Sequence, residues 1–61
     1  MKRGELVRRI NKLAKAKGLT ATYTEGGSHT KVQLGGLQTT IPRHSEINEM
    51  TARGILRYLE G

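Results

Sequence analysis

The chain has 61 residues, which is enough for one small domain, residues 1–61, and too few for two. It has no cysteine, which excludes a disulfide framework and a thiolate metal site, and no Trp or Phe, so its core must be aliphatic. Eleven Lys and Arg against five Asp and Glu give a net charge of +6. That charge favours a polyanionic partner, although a basic surface that only aids solubility would look the same.

The sequence shows neither a membrane span nor a secretory signal, and both bear on where in the cell the protein is expected. No apolar run approaches the roughly 20 residues that a membrane span needs, and no apolar segment follows the basic N-terminus as in a secretory signal. Together with the lack of cysteine, these features are typical of a cytoplasmic protein without a membrane partner.

Residues 4–17 are predicted to form a helix that ends at Gly18. The residues that recur on one side at helical spacing are apolar: Leu6, Val7, Ile10, Leu13 and Ala14. Those on the opposite side are basic: Arg8, Lys12 and Lys15. The basic stripe fits a solvated helix face or one that lies along a phosphate backbone, and Lys12 is a candidate RNA contact.

Three strands follow, at about 19–25, 28–34 and 37–41, because apolar and polar residues alternate there. Gly26-Gly27 and Gly35-Gly36 are the predicted turns, and Pro42 ends the third strand. The connections are too short for parallel crossovers, so the sheet should be an antiparallel meander.

After a loop, Asn48 is a plausible N-cap for a second helix, with Ile47 and Ala52 at the positions of a hydrophobic staple. The apolar face of this helix is Ala52, Ile55, Leu56 and Leu59, whereas Met50, Arg53, Gly54 and Arg57 point outward. The predicted fold class is therefore α+β, in the order α-β-β-β-α, with both helices on one face of a three-stranded antiparallel sheet.

His29 stands out on the second strand. Thr30, Val32 and Leu34 form the more apolar row and should face the core. The other row should face solvent: His29, Lys31 and Gln33, with Gln38 and Thr40 from the third strand. An ordinary exposed histidine after a hairpin turn fits this spacing as well as a functional one does.

The residues available for chemistry favour metal-free acid–base catalysis. The chain has no aspartate and only two histidines, so a metal site is hard to assemble and no cofactor is expected. RNA supplies its own nucleophile, the 2′-hydroxyl, so His29 could act as general acid or base while Lys31 and Arg43 stabilise phosphate charge. Ser28 and His44 are weaker candidates. Ser28 and His29 should point to opposite faces, which argues against a nucleophile–base pair.

Two sequence elements resemble the HicA-type toxins, the RNA-cleaving members of bacterial toxin–antitoxin pairs. They are Gly27-Ser28-His29, which opens a strand, and Thr40-Ile41-Pro42-Arg43-His44, which closes another. A leading helix that ends at glycine and a final helix with Thr51-Ala52-Arg53-Gly54-Ile55-Leu56 extend the likeness over nearly the whole chain. The chain departs from the family pattern at Leu19, where an aromatic is usual, at Gly26, where a basic residue is common, and at Met50, where glycine is usual.

The resemblance implies a fold similar to the double-stranded-RNA-binding domain and a catalytic role for His29. It also implies an mRNA interferase, an endoribonuclease that acts on mRNA and is inhibited by a HicB-type antitoxin that covers the histidine face. Ser28, Lys31, Arg43, His44 and Lys12 are then the expected RNA-binding residues. The alternatives are a non-catalytic RNA-binding module of the same fold and a DNA-binding protein, although no helix-turn-helix is evident.

Overall fold

The computed structural model describes all 61 residues and has the predicted α-β-β-β-α order. The elements are α1 (Arg3–Ala16), β1 (Thr22–Gly26), β2 (His29–Leu34), β3 (Leu37–Pro42) and α2 (Glu49–Glu60). The strands form one antiparallel sheet in the order β1-β2-β3. The predicted α+β fold class is therefore confirmed.

The core lies between the two helices and one face of the sheet. Alternation along β2 is complete, because Thr30, Val32 and Leu34 are buried while His29, Lys31 and Gln33 are exposed. The residues that close this core are aliphatic and come from both helices, the sheet and the loop before α2: Leu6, Ile10, Ala14, Val32, Leu34, Ile41, Ile47, Ala52, Ile55 and Leu59. The opposite face of the sheet carries no helix and remains open.

The first strand is shorter than predicted. It begins at Thr22 and not at residue 19, because the backbone N–H of Leu19 donates to the carbonyl of Ala14 at 2.8 Å. That bond belongs to the end of α1, so the chain has not yet become extended at Leu19. Leu19 is 42% exposed and does not contribute to the alternating core row.

The first turn is displaced by one residue from its predicted position. Gly26 is the last residue of β1 and pairs with His29, so the two-residue loop is Gly27-Ser28 and not Gly26-Gly27. The second loop is Gly35-Gly36, as predicted, between the paired Leu34 and Leu37. The first loop residue has positive φ in both turns, 49° at Gly27 and 61° at Gly35, a conformation that glycine adopts without steric cost.

The start of α2 follows its sequence signals. The Asn48 side chain accepts hydrogen bonds from the backbone N–H groups of Met50 at 2.8 Å and Thr51 at 3.3 Å, which confirms it as the N-cap. Ile47 and Ala52 are both buried in the core cluster, as the hydrophobic staple requires. Neither α1 nor α2 has the length and apolar run that crossing a membrane would require.

The α-amino group of Met1 is hydrogen-bonded to the loop before α2 and to the start of that helix. The α-amino group of Met1 lies 2.8 Å from Glu46 Oε2 and 3.3 Å from Glu49 Oε1, and it donates to the Ile47 carbonyl. The hydrogen bond with Glu46 is the main cause that raises the pKa of the amino group above its ordinary 8.0. The same bond lowers the pKa of Glu46 below its ordinary 4.5.

These two shifts predict a pH window for stability. A raised amine pKa adds stability that is present below pH 8 and is lost as pH rises through the folded-state value, whereas a lowered carboxyl pKa adds stability above pH 4.5 that is lost on acidification. We expect Glu46→Gln to lower the free energy of unfolding most between about pH 4.5 and 8, and the difference should shrink as pH falls through the folded-state pKa of Glu46 or rises through that of the amine. Urea denaturation over a pH series measures this difference.

Glu60→Gln is the control for this experiment, because Glu60 is exposed and its carboxylate forms no ion pair. A loss of stability in Glu46→Gln that is the same at every pH would show that the amine–carboxylate contact is not its source.

Candidate functional site

The candidate site lies on the open face of the sheet, at the end where β2 begins. His29 and Lys31 are exposed on this face, as predicted. Lys31 pairs across the sheet with Thr24 of β1 and Thr40 of β3, and His29 pairs with Gly26 and Pro42. The row of Thr24, Lys31 and Thr40 therefore presents two hydroxyl groups and an ammonium group to solvent, and His29 presents its imidazole from the next row on the same face.

These side chains line one shallow depression. Its walls are polar or glycine: Thr24, Glu25, Gly26, His29, Lys31 and Thr40. Gly26 has nothing within 4 Å of the position that a Cβ would occupy, so the sheet edge beside His29 is open to a ligand backbone. The depression suits an extended polar chain that carries hydrogen-bonding groups and negative charge.

Ser28 and His29 are in contact, contrary to the prediction that they point apart. Ser28 Oγ lies 3.2 Å from His29 Nδ1. The prediction was wrong because it placed both residues on a strand, whereas Ser28 belongs to the two-residue turn and is free of strand alternation. With Nδ1 engaged by Ser28, the Nε2 atom of the imidazole is the nitrogen that can meet a substrate.

Arg43 is near the site but is engaged by protein groups. Its Nη1 donates to the Gly27 carbonyl at 3.0 Å, and its Nε lies 3.3 Å from Glu25 Oε1. Glu25 pairs with Thr30, whose side chain is buried, so the carboxylate lies towards the helix side of the sheet. The structure therefore brings Arg43 to the turn that precedes His29, with its charge opposed by a carboxylate.

A hydrogen-bonded cluster continues from Glu25 beneath the site. The Thr30 hydroxyl is fully buried and donates to Glu25 Oε1 at 2.9 Å, and it accepts from Arg3 Nη2 at 2.6 Å. Arg3 also lies 3.7 Å from Glu25 Oε2. The start of α1 is thus joined to β1 and β2 directly behind His29.

The remaining predicted site residues lie apart from the depression. His44 is exposed in the segment between β3 and α2. Lys12 is exposed on the outer side of the helical layer, in a groove between α1 and α2. The groove is lined mainly by charged side chains: Glu5, Arg8, Arg9, Lys12, Leu13, Ala16, Leu56 and Glu60. Cationic side chains therefore lie on two surfaces: Lys31 on the open sheet face, and Arg8, Arg9 and Lys12 in the helix groove, where Glu5 and Glu60 lie among them.

No three His, Asp or Glu side chains lie close enough together to hold a metal ion. The groups that the site does offer are an imidazole, a nearby ammonium group and hydroxyls on a solvent-exposed face. Such a set can transfer a proton and stabilise negative charge on phosphate.

Sequence reasoning missed the participation of Glu25, Arg3 and Thr24. Placing the first turn at Gly27-Ser28 would have revealed Glu25 and Thr24, because that register sets Glu25 opposite Thr30 and Thr24 opposite Lys31. The residues next to Arg3 in the sequence do not predict its role, because that role depends on how the start of α1 packs over the sheet.

No family model, curated protein or solved structure matches the chain.

Proposed function

We propose that the chain is a metal-independent endoribonuclease toxin, an mRNA interferase of the HicA type that acts in the cytoplasm. The observation that carries the proposal is the exposed imidazole of His29, which is held by Ser28 at Nδ1 and shares a depression with Lys31. The net charge of +6 supports a polyanionic substrate.

The proposed reaction uses the nucleophile that RNA already contains. His29 Nε2 takes the proton from a ribose 2′-hydroxyl, and the 2′-oxygen attacks the adjacent phosphorus. The bond from phosphorus to the 5′-oxygen breaks, and that oxygen leaves with a proton returned by the imidazolium or by water. Lys31 stabilises the additional negative charge on the phosphoryl oxygens. The products are a 2′,3′-cyclic phosphate and a free 5′-hydroxyl.

The proposed protein partner is a HicB-type antitoxin. An inhibitor of this reaction need only cover the open sheet face, because His29 and Lys31 are both exposed there. An acidic contact surface on the antitoxin would complement the basic chain and speed association.

A non-catalytic RNA-binding module is the second candidate. It is favoured by the groove between α1 and α2, which contains no histidine and where Arg8 and Lys12 lie beside Arg9, itself paired with Glu5 at 2.8 Å. If RNA binds only there, His29 has no substrate and the chain is not an enzyme.

Cleavage of a labelled transcript tests the proposed function. We expect the chain to cut the transcript in the presence of EDTA and to leave 5′-hydroxyl ends. A DNA strand of the same sequence should remain intact because it lacks the 2′-hydroxyl. Cleavage that stops in EDTA, or that extends to DNA, would contradict a mechanism that relies on the 2′-hydroxyl and His29 alone.

A further inference from the structure

We propose that Glu25 and Arg43 are positioning residues for His29. Their ion pair fixes the Gly27-Ser28 turn, and through Ser28 it holds the imidazole with Nε2 towards the substrate. This inference rests on the proposed function for its catalytic meaning, whereas the coupling itself concerns only the protein.

Arg43 contacts the Gly27-Ser28 turn directly. One guanidinium makes two contacts: Nη1 donates a hydrogen bond to the Gly27 carbonyl at 3.0 Å, and Nε forms an ion pair with Glu25 Oε1 at 3.3 Å. The Gly27 carbonyl belongs to the peptide group that enters Ser28, so its orientation determines where the Ser28 side chain begins. A planar guanidinium suits this two-point contact because its donors are fixed relative to one another.

Ser28 connects the turn to the imidazole of His29. Ser28 Oγ lies 3.2 Å from His29 Nδ1, and the protonation of one ring nitrogen is set by the hydrogen bond that the other makes. A shift of the turn would move this hydroxyl away and would free the ring to rotate. The ring would then no longer present Nε2 in one direction.

The carboxylate of Glu25 holds Arg43 in place. The Glu25 side chain is 56% exposed, and a simple ion pair at such a position would be mobile and weak. Glu25 is instead held from behind, by the buried Thr30 hydroxyl at 2.9 Å and by Arg3 at 3.7 Å. These contacts fix the carboxylate, and Arg43 with it, relative to the sheet.

One group in the cluster of Arg3, Glu25 and Thr30 lowers the stability of the fold. Arg3 Nε is buried and has no hydrogen-bond partner, and an unsatisfied buried donor is unfavourable. An apolar side chain at residue 3 would avoid this cost. A charged cluster that lowers stability directly behind the site is consistent with a role in positioning the turn.

The sequence also predicts Arg43 as a phosphate ligand, and the phosphate-binding and positioning roles predict different results for Arg43→Lys. Lysine keeps the positive charge, so RNA affinity should stay within about twofold if charge is what matters. A single ammonium group cannot reproduce the fixed two-point contact with Glu25 and the Gly27 carbonyl. The positioning role therefore predicts that the imidazole is disturbed while RNA binding is retained.

The experiment is nitrogen-15 NMR of the histidine rings in the free protein, together with transcript cleavage. We expect Ser28→Ala to change the ring nitrogen shifts of His29, and we expect Arg43→Lys and Glu25→Gln to move them in the same direction. Cleavage by Arg43→Lys should fall by roughly 10- to 100-fold, the scale expected for a misplaced reacting group. The ring nitrogens of His44 are the internal reference in the Ser28→Ala and Glu25→Gln spectra.

Arg53→Ala is the matched control for the spectra, because Arg53 also pairs with a glutamate, at 3.8 Å from Glu49, but lies on α2. His29 shifts that are unchanged in both Arg43→Lys and Glu25→Gln would overturn the inference, as would a Ser28→Ala spectrum identical to that of the unmodified chain. The spectra need no RNA. A chain that cleaves nothing would refute the proposed function, while the coupling would still be decided by the ring shifts.

Discussion

His29→Ala should slow transcript cleavage by roughly 10²- to 10⁴-fold, the contribution expected of a positioned acid–base group. The folded state should be preserved, because His29 is exposed on the open face of β2 and the core row lies on the other face. Exposed substitutions of this kind usually change the free energy of unfolding by less than about 0.5 kcal/mol. Cleavage rates and thermal melts of the two chains measure both effects.

Gln33→Ala is the matched control for this variant. Gln33 is exposed on the same face of the same strand, and it lies outside the depression that contains His29. It should therefore retain cleavage. Equal cleavage by a well-folded His29→Ala chain would remove His29 as the catalyst and would direct attention to His44 or to the RNA-binding module.

The fold could be predicted from sequence because its main signals are local and agree with one another. The alternation through Thr30, Val32 and Leu34 determines which face of β2 is buried, and Asn48 caps α2 as its side chain suggests. The first turn was placed one residue too early because two local signals overlap there. Gly26, Gly27 and Ser28 can all occupy a turn, and only the pairing of Gly26 with His29 decides which two of them do.

The site was predictable only in part. Strand alternation was sufficient to place His29 and Lys31 on the open face. It could not show that Ser28 contacts His29, because that contact depends on the turn register. Nor could it show that Glu25 opposes Arg43, since this pair joins the end of β1 to the residue that follows β3.

RNA affinity should fall steeply with salt, since each phosphate contacted by a single-stranded RNA contributes about −0.7 to the slope of log K against log salt. Contact with about four phosphates would give a slope near −3, or a loss of roughly 10³-fold over a tenfold rise in salt. Filter binding of a short RNA to the His29→Ala chain measures the slope without cleavage. A flat dependence would rule out the electrostatic account of binding.

Two lysine variants then locate the RNA, because Lys31 and Lys12 lie on opposite layers of the domain. If a short RNA lies in the depression beside His29, Lys31→Ala should reduce the magnitude of the slope by about 0.7 and Lys12→Ala should leave it unchanged. The reverse result would place the RNA in the groove between α1 and α2. His29 would then be remote from the bound strand, and the non-catalytic RNA-binding module would account for the chain better than the ribonuclease does.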